Sequence, residues 1–215
     1  MEALKVERLN PVEAAFCKFD KNKEQRDRYE PFSSAIRDIT LYKHQEICKG
    51  SKVDLLPCQD PFSSIFGHWM TLIIISGKKL KICLKTHFNT AEGFYLLEQS
   101  TIGRKKRSEA DLLRSFDFMK ELSNEVAGRI KSSLGSENSA IGLSLPLLTR
   151  GFDEVLFIDR IIKANKGEER ARETWSINCN GHLVTYTAEV QVLEWDVFND
   201  LQTPQEDSAG NTEFL

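Results

Sequence analysis

The strongest secondary-structure signal in the chain is SEADLLRSFDFMKELSNEVAGRIKSSLG, residues 108–135. Ser108 and Asp111 are spaced as in a helix capping box, with Asp in place of Glu, and Gly135 supplies a stop. Successive residues turn by about 100° on a helix, so its faces follow from the sequence. One side is apolar, and we expect it to pack on a sheet; its members are Leu112, Phe116, Met119, Val126, Ile130 and Leu134.

The opposite side of this predicted helix carries a polar stripe that must face solvent. Its members are Asp117, Glu121, Asn124 and Gly128, which fall within roughly 60° of one another. Such a stripe is often no more than the wet side of a helix, because exposed helix faces are normally polar. Two of its members argue for a function. Gly128 costs about 1 kcal/mol against Ala in a helix interior but leaves room for another backbone, and Asn124 is a poor helix former.

The residues before the long helix predict a β-hairpin and then a short helix. In WMTLIIISGKKLKICLKTHF, residues 69–88, a β-branched run ends at Ser76-Gly77, and a second run alternates apolar with polar residues. This alternation predicts a strand with one buried and one wet face. The stretch that follows, residues 89–100, is typical of a helix capped by Asn89 or Thr90.

The residues after the long helix are mostly strand. Residues 141–148 and 154–162 are rich in apolar side chains. Residues 173–195 predict a long hairpin around Asn180-Gly181, a dipeptide that suits a type I′ turn. The return strand alternates strictly, as in a sheet that covers a core on one side only. The sequence therefore predicts an α+β domain with a mostly antiparallel sheet and the long helix packed on one face.

The two ends of the chain are less regular. Residues 1–66 are expected to belong to the same domain as the core at 67–198. They open with a short helix at Asn10, with Pro11 in its first position. Residues 20–66 are charged and irregular, hold three of the six prolines and predict no element. The tail, residues 199–215, is polar, and we expect it to be disordered.

The composition argues against several classes of function. A net charge of −3 gives no electrostatic case for nucleic acid, and the basic run at 104–107 is interpreted as a solvated loop. The five cysteines lack C-x-x-C spacing, and the four histidines lack the paired spacing that metal ligation prefers. No metal site or disulfide framework is therefore expected. We see no signal peptide, and the apolar stretch 70–75 is too short for a bilayer. We expect a soluble, cytoplasmic protein that binds neither membrane nor nucleic acid.

The polar stripe resembles the signature of a known family. Asp117-x-x-x-Glu121-x-x-Asn124, with Pro146 in the following strand, resembles the pattern of the CheC/CheX/FliY phosphatases, which dephosphorylate the chemotaxis response regulator CheY. CheC and FliY commonly carry two copies of the motif. Only one Glu-x-x-Asn in this sequence lies in an appropriate helix, which indicates the CheX branch.

The resemblance extends beyond the motif. ELSNEVAGRIKSSL is similar to the signature helix of CheX, and IGLSLPLLTRG to the strand that follows it. The hairpin IIISGKKLKICLKTHF and the opening LNPVEAAF are similar to elements of the same family. The resemblance runs from about residue 9 to 195 and is weak between 20 and 66.

The resemblance implies that the chemistry is shared between two proteins. The partner, a CheY-like receiver domain, would supply the phosphoryl-aspartate, Mg²⁺ and a lysine, so this chain would need no cofactor of its own. Asn124 would orient the attacking water, and Glu121 would pair with the receiver lysine. Asp117 is either a docking contact or a plain solvated charge, and we hypothesise that Gly128 lets the receiver approach. CheX proteins dimerise through sheet edges, so a homodimer is expected.

Other residues offer weaker candidates. Ser144 and His182 could be imagined in a hydrolase, but no Gly-x-Ser-x-Gly stretch exists. Trp175 and Tyr186 are interpreted as core or dimer-interface aromatics. Pro146 is more typical of a strand edge than of a partner contact.

Two other classes of function stay open. The chain could be a non-catalytic module that binds receivers, or a scaffolding domain whose helix stripe is merely wet. A phosphatase needs the stripe to be free of its own chain. Packing of residues 20–66 over Glu121 and Asn124 would therefore exclude catalysis in that state.

Overall fold

The computed structural model describes residues 23–58, 66–100, 109–135, 140–153 and 169–202. Three helices and seven strands lie in these ranges. The helices are α1 (Lys23–Ile47), α2 (Thr90–Ser100) and α3 (Glu109–Ser133). The strands are β1 (Val53–Pro57), β2 (Trp69–Ser76), β3 (Leu80–Phe88), β4 (Gly142–Leu143), β5 (Leu147–Arg150), β6 (Glu169–Cys179) and β7 (His182–Val192). Short 3₁₀ turns follow β5 and β7, at Gly151–Asp153 and Trp195–Phe198.

The described strands form one sheet in which every pair is antiparallel. The strand order is β1-β6-β7-β3-β2-β4, and β5 pairs with β2 on the same edge as β4. Helix α1 packs on β1 and β6, whereas α3 packs on β2 near the other edge, and the two helices contact each other. The predicted fold class, α+β with a mostly antiparallel sheet and a long helix on one face, is confirmed.

The two predicted hairpins are present, the second with its turn at the predicted dipeptide. β2 and β3 pair from Trp69 with Phe88 to Ser76 with Lys81. β6 and β7 pair along their whole length on either side of Asn180-Gly181. Both turn residues have positive φ, 51° and 89°, which is the conformation that a type I′ turn requires and that Asn-Gly tolerates.

The prediction that the sheet is buried on one side only is wrong. Both faces are buried along the middle of β3 and β7. The helix-facing residues of β7 are buried as predicted, but so are Thr185 and Thr187 on its other face. On β3, Lys85 is buried although Lys81, four residues earlier on the same face, is exposed. The Lys85 ammonium lies 2.7 Å from Oε1 of Glu189, and this pairing makes its burial tolerable.

The largest correction concerns residues 20–66, which the sequence pattern left as irregular. Residues 23–47 form the 25-residue helix α1, and residues 53–57 form β1. The buried side chains of α1 recur at helical spacing, including Tyr29, Phe32 and Ile36, and they join the same apolar cluster as the core of α3. Pro31 lies inside this helix at an exposed position, and a proline there normally indicates a helix break.

Several predictions fall partly or wholly outside the described residues. These are the helix at Asn10, the basic run 104–107, the Ser108 cap, the strand at 154–162 and the tail beyond residue 202. Within the described part of the chain, no helix is both long and apolar enough to cross a membrane. The four cysteines in the same part are thiols rather than disulfides: Cys48, Cys58, Cys83 and Cys179.

Candidate functional site

Helix α3 is held on the sheet by the apolar side that the sequence predicts. Met119, Val126 and Ile130 are fully buried, and the ring of Phe116 lies 4.6 Å from that of Trp69 on β2. The helix ends where predicted, because Gly135 adopts a φ of +82° that suits a C-terminal glycine stop. The helix is therefore fixed on one side, and its opposite side must be presented outward.

The predicted polar stripe lies on that outward side. Asp117 and Glu121 are exposed, while Asn124 and Gly128 are half-buried. We refer to these four residues as the α3 ridge. The helical rise places the Cα atoms of Glu121 and Asn124 about 4.5 Å apart along the axis. The structure thus brings all four predicted site residues together on one surface.

The α3 ridge has few contacts with the rest of the protein. The Asp117 carboxylate lies 2.6 Å from the ammonium of Lys120 on the same helix, and such exposed pairs are weak. Glu121 and Asn124 form no hydrogen bond or ion pair with any residue that the structure describes. A carboxylate and an amide are therefore available to a partner without first breaking an internal bond.

Helix α1 lies beside the ridge rather than over it. Lys43 of α1 pairs with Glu125, and Arg129 lies 2.8 Å from Glu46. Glu125 is one residue from Asn124 and therefore points about 100° away from it around the helix axis. These ion pairs fix the flank that faces α1. The described part of residues 20–66 leaves Glu121 exposed, so the covering that would exclude catalysis is not found there.

Gly128 has open space above it. A Cβ built at this position would meet no atom within 4 Å outside its own helix backbone. Its glycine is therefore not required by contacts within the described structure, although it lowers the stability of the helix. The predicted role in partner approach is compatible with this geometry but is not tested by it.

Pro146 lies in a break in the edge strand. Residues 144–146 separate β4 from β5 and face only Ile73 and Ile74 of β2, so the edge bulges by one residue. The Ser144 side chain completes the ladder there, because the Ile74 amide donates to its hydroxyl over 2.9 Å. Pro146 and Ser144 therefore shape the strand edge.

The other candidate residues have structural contacts within the fold. Trp175 and Tyr186 are fully buried and stacked with ring centroids 5.7 Å apart, so they are core aromatics. His182 stacks on Tyr95 at 4.1 Å. Within the described residues, no cluster of three or more His, Cys, Asp or Glu side chains could hold a metal ion.

The sequence patterns missed one residue next to the site. Ser123, between Glu121 and Asn124, lies on the buried side of α3 and is 1 % exposed. Its hydroxyl contacts Thr71 on β2 and Thr86 on β3. The only signal in the sequence is a polar residue among the apolar positions of the helix.

Comparison with protein-family models found no match, and comparison with curated proteins found no relative. Solved structures share the fold. FliY from Thermotoga maritima superposes with a TM-score of 0.54 at 12 % identity, covering 85 % of this chain and 100 % of that one. A chain of the CheX–CheY–BeF₃–Mg²⁺ complex from Borrelia burgdorferi superposes with a TM-score of 0.52 at 12 % identity, covering 76 % of this chain and 97 % of that one. A CheC-like superfamily protein from Shewanella sp. PV-4 superposes with a TM-score of 0.50 at 16 % identity, covering 74 % of this chain and 96 % of that one.

These similarities establish that the chain has the fold of the CheC-like, CheX and FliY structures. The fold expected from the sequence resemblance is thus confirmed. At 12 to 16 % identity the similarity reaches no further than the fold. The choice of the CheX branch, the activity and the roles of individual residues stay predictions.

Proposed function

We propose that this protein is a phosphatase that hydrolyses the aspartyl phosphate of a CheY-type receiver domain, in chemotaxis or another two-component pathway. The observation that carries the proposal is the α3 ridge. Glu121 and Asn124 lie together on a well-packed helix, turned outward and unbonded within the described residues. The fold is that of structures that include a CheX–CheY complex.

Asn124 suits the task of orienting a water molecule. Phosphoryl transfer is catalysed mainly by positioning and charge stabilisation, because the phosphoryl group and its metal ion carry the chemistry. The side-chain amide can accept a hydrogen bond from the water while its NH₂ group donates to another group, and it stays neutral at any relevant pH. In this proposal Asn124 enters the receiver site and holds the water in line with the phosphorus.

Glu121 provides the charge that fixes the docking register. Its carboxylate lies one helical turn from Asn124, so a lysine beside the phosphoryl-aspartate can reach it while Asn124 reaches the phosphate. A charge-assisted hydrogen bond of this kind is stronger than a neutral one and directional. Asp117 is one further turn along the ridge, where it can add a second acidic contact.

The partner supplies the metal in this proposal. Mg²⁺ bound by the receiver would neutralise the developing charge on the phosphoryl oxygens, and this chain would hold no cofactor. Gly128 would let the receiver backbone approach the helix, since no side chain occupies the space above it.

We also propose a homodimer formed through a sheet edge. The β4–β5 edge exposes Leu145 and Leu147, and an exposed edge strand offers unpaired backbone groups for pairing with another strand. Sedimentation at micromolar concentration is expected to give twice the chain mass. A monomer at every concentration up to 100-fold higher would remove this part of the proposal.

The alternative is a receiver-binding or scaffolding module without catalysis. It keeps the fold and the docking surface but gives Asn124 no chemical role. Binding and turnover have to be measured separately to distinguish the two.

The test uses a Mg²⁺-bound receiver in two forms, phosphorylated for turnover and BeF₃-activated for binding. Asn124→Ala is expected to lower the rate of dephosphorylation by about 100-fold or more, because loss of the correct position of a reactant can slow a reaction by such a factor. The Kd for the receiver is expected to change little. Glu121→Ala is expected to weaken binding instead, by roughly tenfold. Unchanged phosphate lifetime with the intact protein, together with tight binding, would favour the non-catalytic module.

A further inference from the structure

Three buried hydroxyls meet between α3 and the sheet. Ser123 on α3, Thr71 on β2 and Thr86 on β3 are all at most 1 % exposed. The Ser123 Oγ lies 2.5 Å from Oγ1 of Thr71 and 3.2 Å from Oγ1 of Thr86. This hydroxyl cluster connects the buried side of α3 to the adjacent strands β2 and β3.

The hydrogen bonds of this hydroxyl cluster can be assigned by counting protons. The Ser123 hydroxyl donates its single proton to the carbonyl oxygen of Met119, 2.9 Å away. Its two lone pairs are then free to accept, which lets the hydroxyls of Thr71 and Thr86 both donate to it. In this arrangement every donor of the three hydroxyls is satisfied, and the Ser123 oxygen has no capacity left.

The hydrogen bonds of this hydroxyl cluster can all form in only one position of α3 on the sheet. Apolar packing is non-directional, so the contacts of residues such as Val126 and Met119 tolerate small sliding and rotation of α3. A buried donor without a partner is costly because it has given up its hydrogen bond to water, and a rotation or shift of α3 would leave both threonine donors in that state. The hydroxyl cluster therefore selects one rotation and one register of the helix.

The position of Ser123 makes this selection relevant to the site. Asn124 follows it directly and is turned from it by about 100°, and Glu121 precedes it by two residues. A rotation of α3 about its axis would redirect both ridge side chains together. A displacement of about 1 Å at a reacting group can cost about 100-fold in rate.

We infer that Ser123 is a positioning residue, which with Thr71 and Thr86 fixes the direction in which Glu121 and Asn124 are presented. The inference about presentation stands on the contacts alone. Its effect on catalysis rests on the proposed phosphatase function.

The clean test is the double variant Thr71→Val/Thr86→Val. Valine has the shape of threonine without the hydroxyl, and Ser123 still donates to the Met119 carbonyl, so the Ser123 donor stays paired. We expect the melting temperature to stay within a few degrees of the intact protein. The backbone amide signals of residues 120–128 in NMR spectra are expected to broaden or double, because α3 then samples more than one position.

The matched control is Thr174→Val/Thr187→Val. These two threonines are also buried and bonded to each other, with Oγ1 atoms 3.3 Å apart, but they lie on β6 and β7 and face away from α3. Ser115→Ala is a second control, since its buried hydroxyl on α3 donates to the Leu112 carbonyl of the same helix and to no strand that the structure describes. Both controls are expected to leave the signals of residues 120–128 single and sharp.

Turnover provides the second measurement. In the Thr71→Val/Thr86→Val variant we expect kcat for receiver dephosphorylation to fall about tenfold, with KM changed less than threefold, and both controls to keep kcat. Sharp, single signals for residues 120–128 in the double variant would overturn the inference whatever the receiver does. So would broadening of the same size in the controls. Broadened signals with no turnover by the intact protein would sink the phosphatase proposal and leave the positioning role in place.

Discussion

Two helices of equal length, α1 and α3, lie side by side on the same sheet and are used differently. Each has 25 residues and buries one side in a common apolar cluster. The outer side of α1 is occupied by ion pairs, among them Arg28 with Glu24 and Lys43 with Glu46. The outer side of α3 presents Glu121 and Asn124 without a described partner. Packing alone does not distinguish the helices, but the availability of their outer polar groups does.

The polar contacts beneath the two helices also differ. Under α1 lies a buried carboxylate, Glu173, which accepts from the Ser33 hydroxyl over 2.6 Å and lies 3.5 Å from the Arg37 guanidinium. Under α3, Ser123, Thr71 and Thr86 are neutral hydroxyls. The contact of Glu173 with α1 can therefore change with pH, whereas the contacts among these three hydroxyls have no charge to titrate.

The largest effect is expected from truncating the buried side of α1. Phe32 is fully buried, with its ring 5.2 Å from that of Phe198, so Phe32→Ala should lower the free energy of unfolding by about 3–5 kcal/mol. Chemical denaturation with urea measures this. The neighbouring exposed position serves as the control: Pro31→Ala should not lower stability, since it restores a backbone donor inside the helix. A loss below 1 kcal/mol for Phe32→Ala would mean that α1 is an appendage rather than part of the core.

The next effect is the pH dependence carried by Glu173. Burial raises the pKa of this carboxyl from 4.5 to about 7, and the hydrogen bonds from Ser33 and Tyr29 and the charge of Arg37 offset only part of that rise. A raised acid pKa contributes stability that is complete below pH 4.5 and is lost as the pH rises through about 7. The full difference is about 3 kcal/mol.

Glu173→Gln should remove this contribution. Urea unfolding of both proteins at pH 5 and pH 8 measures it, and the stability of the Gln variant relative to the intact protein should rise by about 2–3 kcal/mol between these two pH values. The buried His44 and His87, whose pKa values are lowered to about 4 and about 3, contribute equally to both proteins and cancel. The same pH dependence in both would show that Glu173 ionises as it does in the unfolded chain. Thr71→Val under α3 should show no pH-dependent difference.

A smaller effect, of opposite sign for stability and function, is expected at Gly128. Gly128→Ala should raise the free energy of unfolding by about 1 kcal/mol, because alanine favours the helix and the added Cβ meets no atom within 4 Å. The same methyl group should weaken binding to a BeF₃-activated receiver if a partner backbone approaches there. Thermal denaturation and a binding titration measure the two effects. A variant that is more stable and binds equally well would remove Gly128 from the docking surface.

The smallest effect is expected from the ion pairs between the helices. Lys43 and Glu125 are both mostly buried at their side chains, 12 % and 17 % exposed, so Lys43→Ala should cost about 1 kcal/mol, at the upper end for such pairs. Arg28→Ala, which breaks a pair exposed at 52 % and 71 %, should cost less than half of that. Equal costs, read from denaturant midpoints, would mean that the α1–α3 pairs add nothing to the support of the ridge.

The sequence predicts α3 well and α1 poorly, for a physical reason. The apolar positions of α3 follow the helical period without a breaker, so its bounds, buried side and exposed ridge could all be derived. The buried residues of α1 have a similar spacing, but Pro31 interrupts the pattern. Its surroundings are also rich in charge, and these charges find partners only in the folded structure.

The contacts between elements could not be read from single positions. Lys85 shares one face of the alternating strand with Lys81 and Cys83 and was expected on a wet face, yet Glu189 on the neighbouring strand stabilises its burial. Ser123 likewise depends on partners that are distant in the sequence, because Thr71 and Thr86 are 52 and 37 residues away. Local pattern predicts which side of an element is apolar, but polar groups that are buried in pairs depend on strand order and register.

The most direct test of the difference between α1 and α3 is the lifetime of the phosphoryl group on a Mg²⁺-bound CheY-like receiver. It is measured with the intact protein, with Asn124→Ala on α3, and with Gln45→Ala, which removes an exposed amide from the outer side of α1. The predicted result is that the intact protein and Gln45→Ala shorten the lifetime equally and Asn124→Ala does not. A lifetime that Asn124→Ala still shortens as far as the intact protein would contradict the assignment of the α3 ridge as the catalytic site.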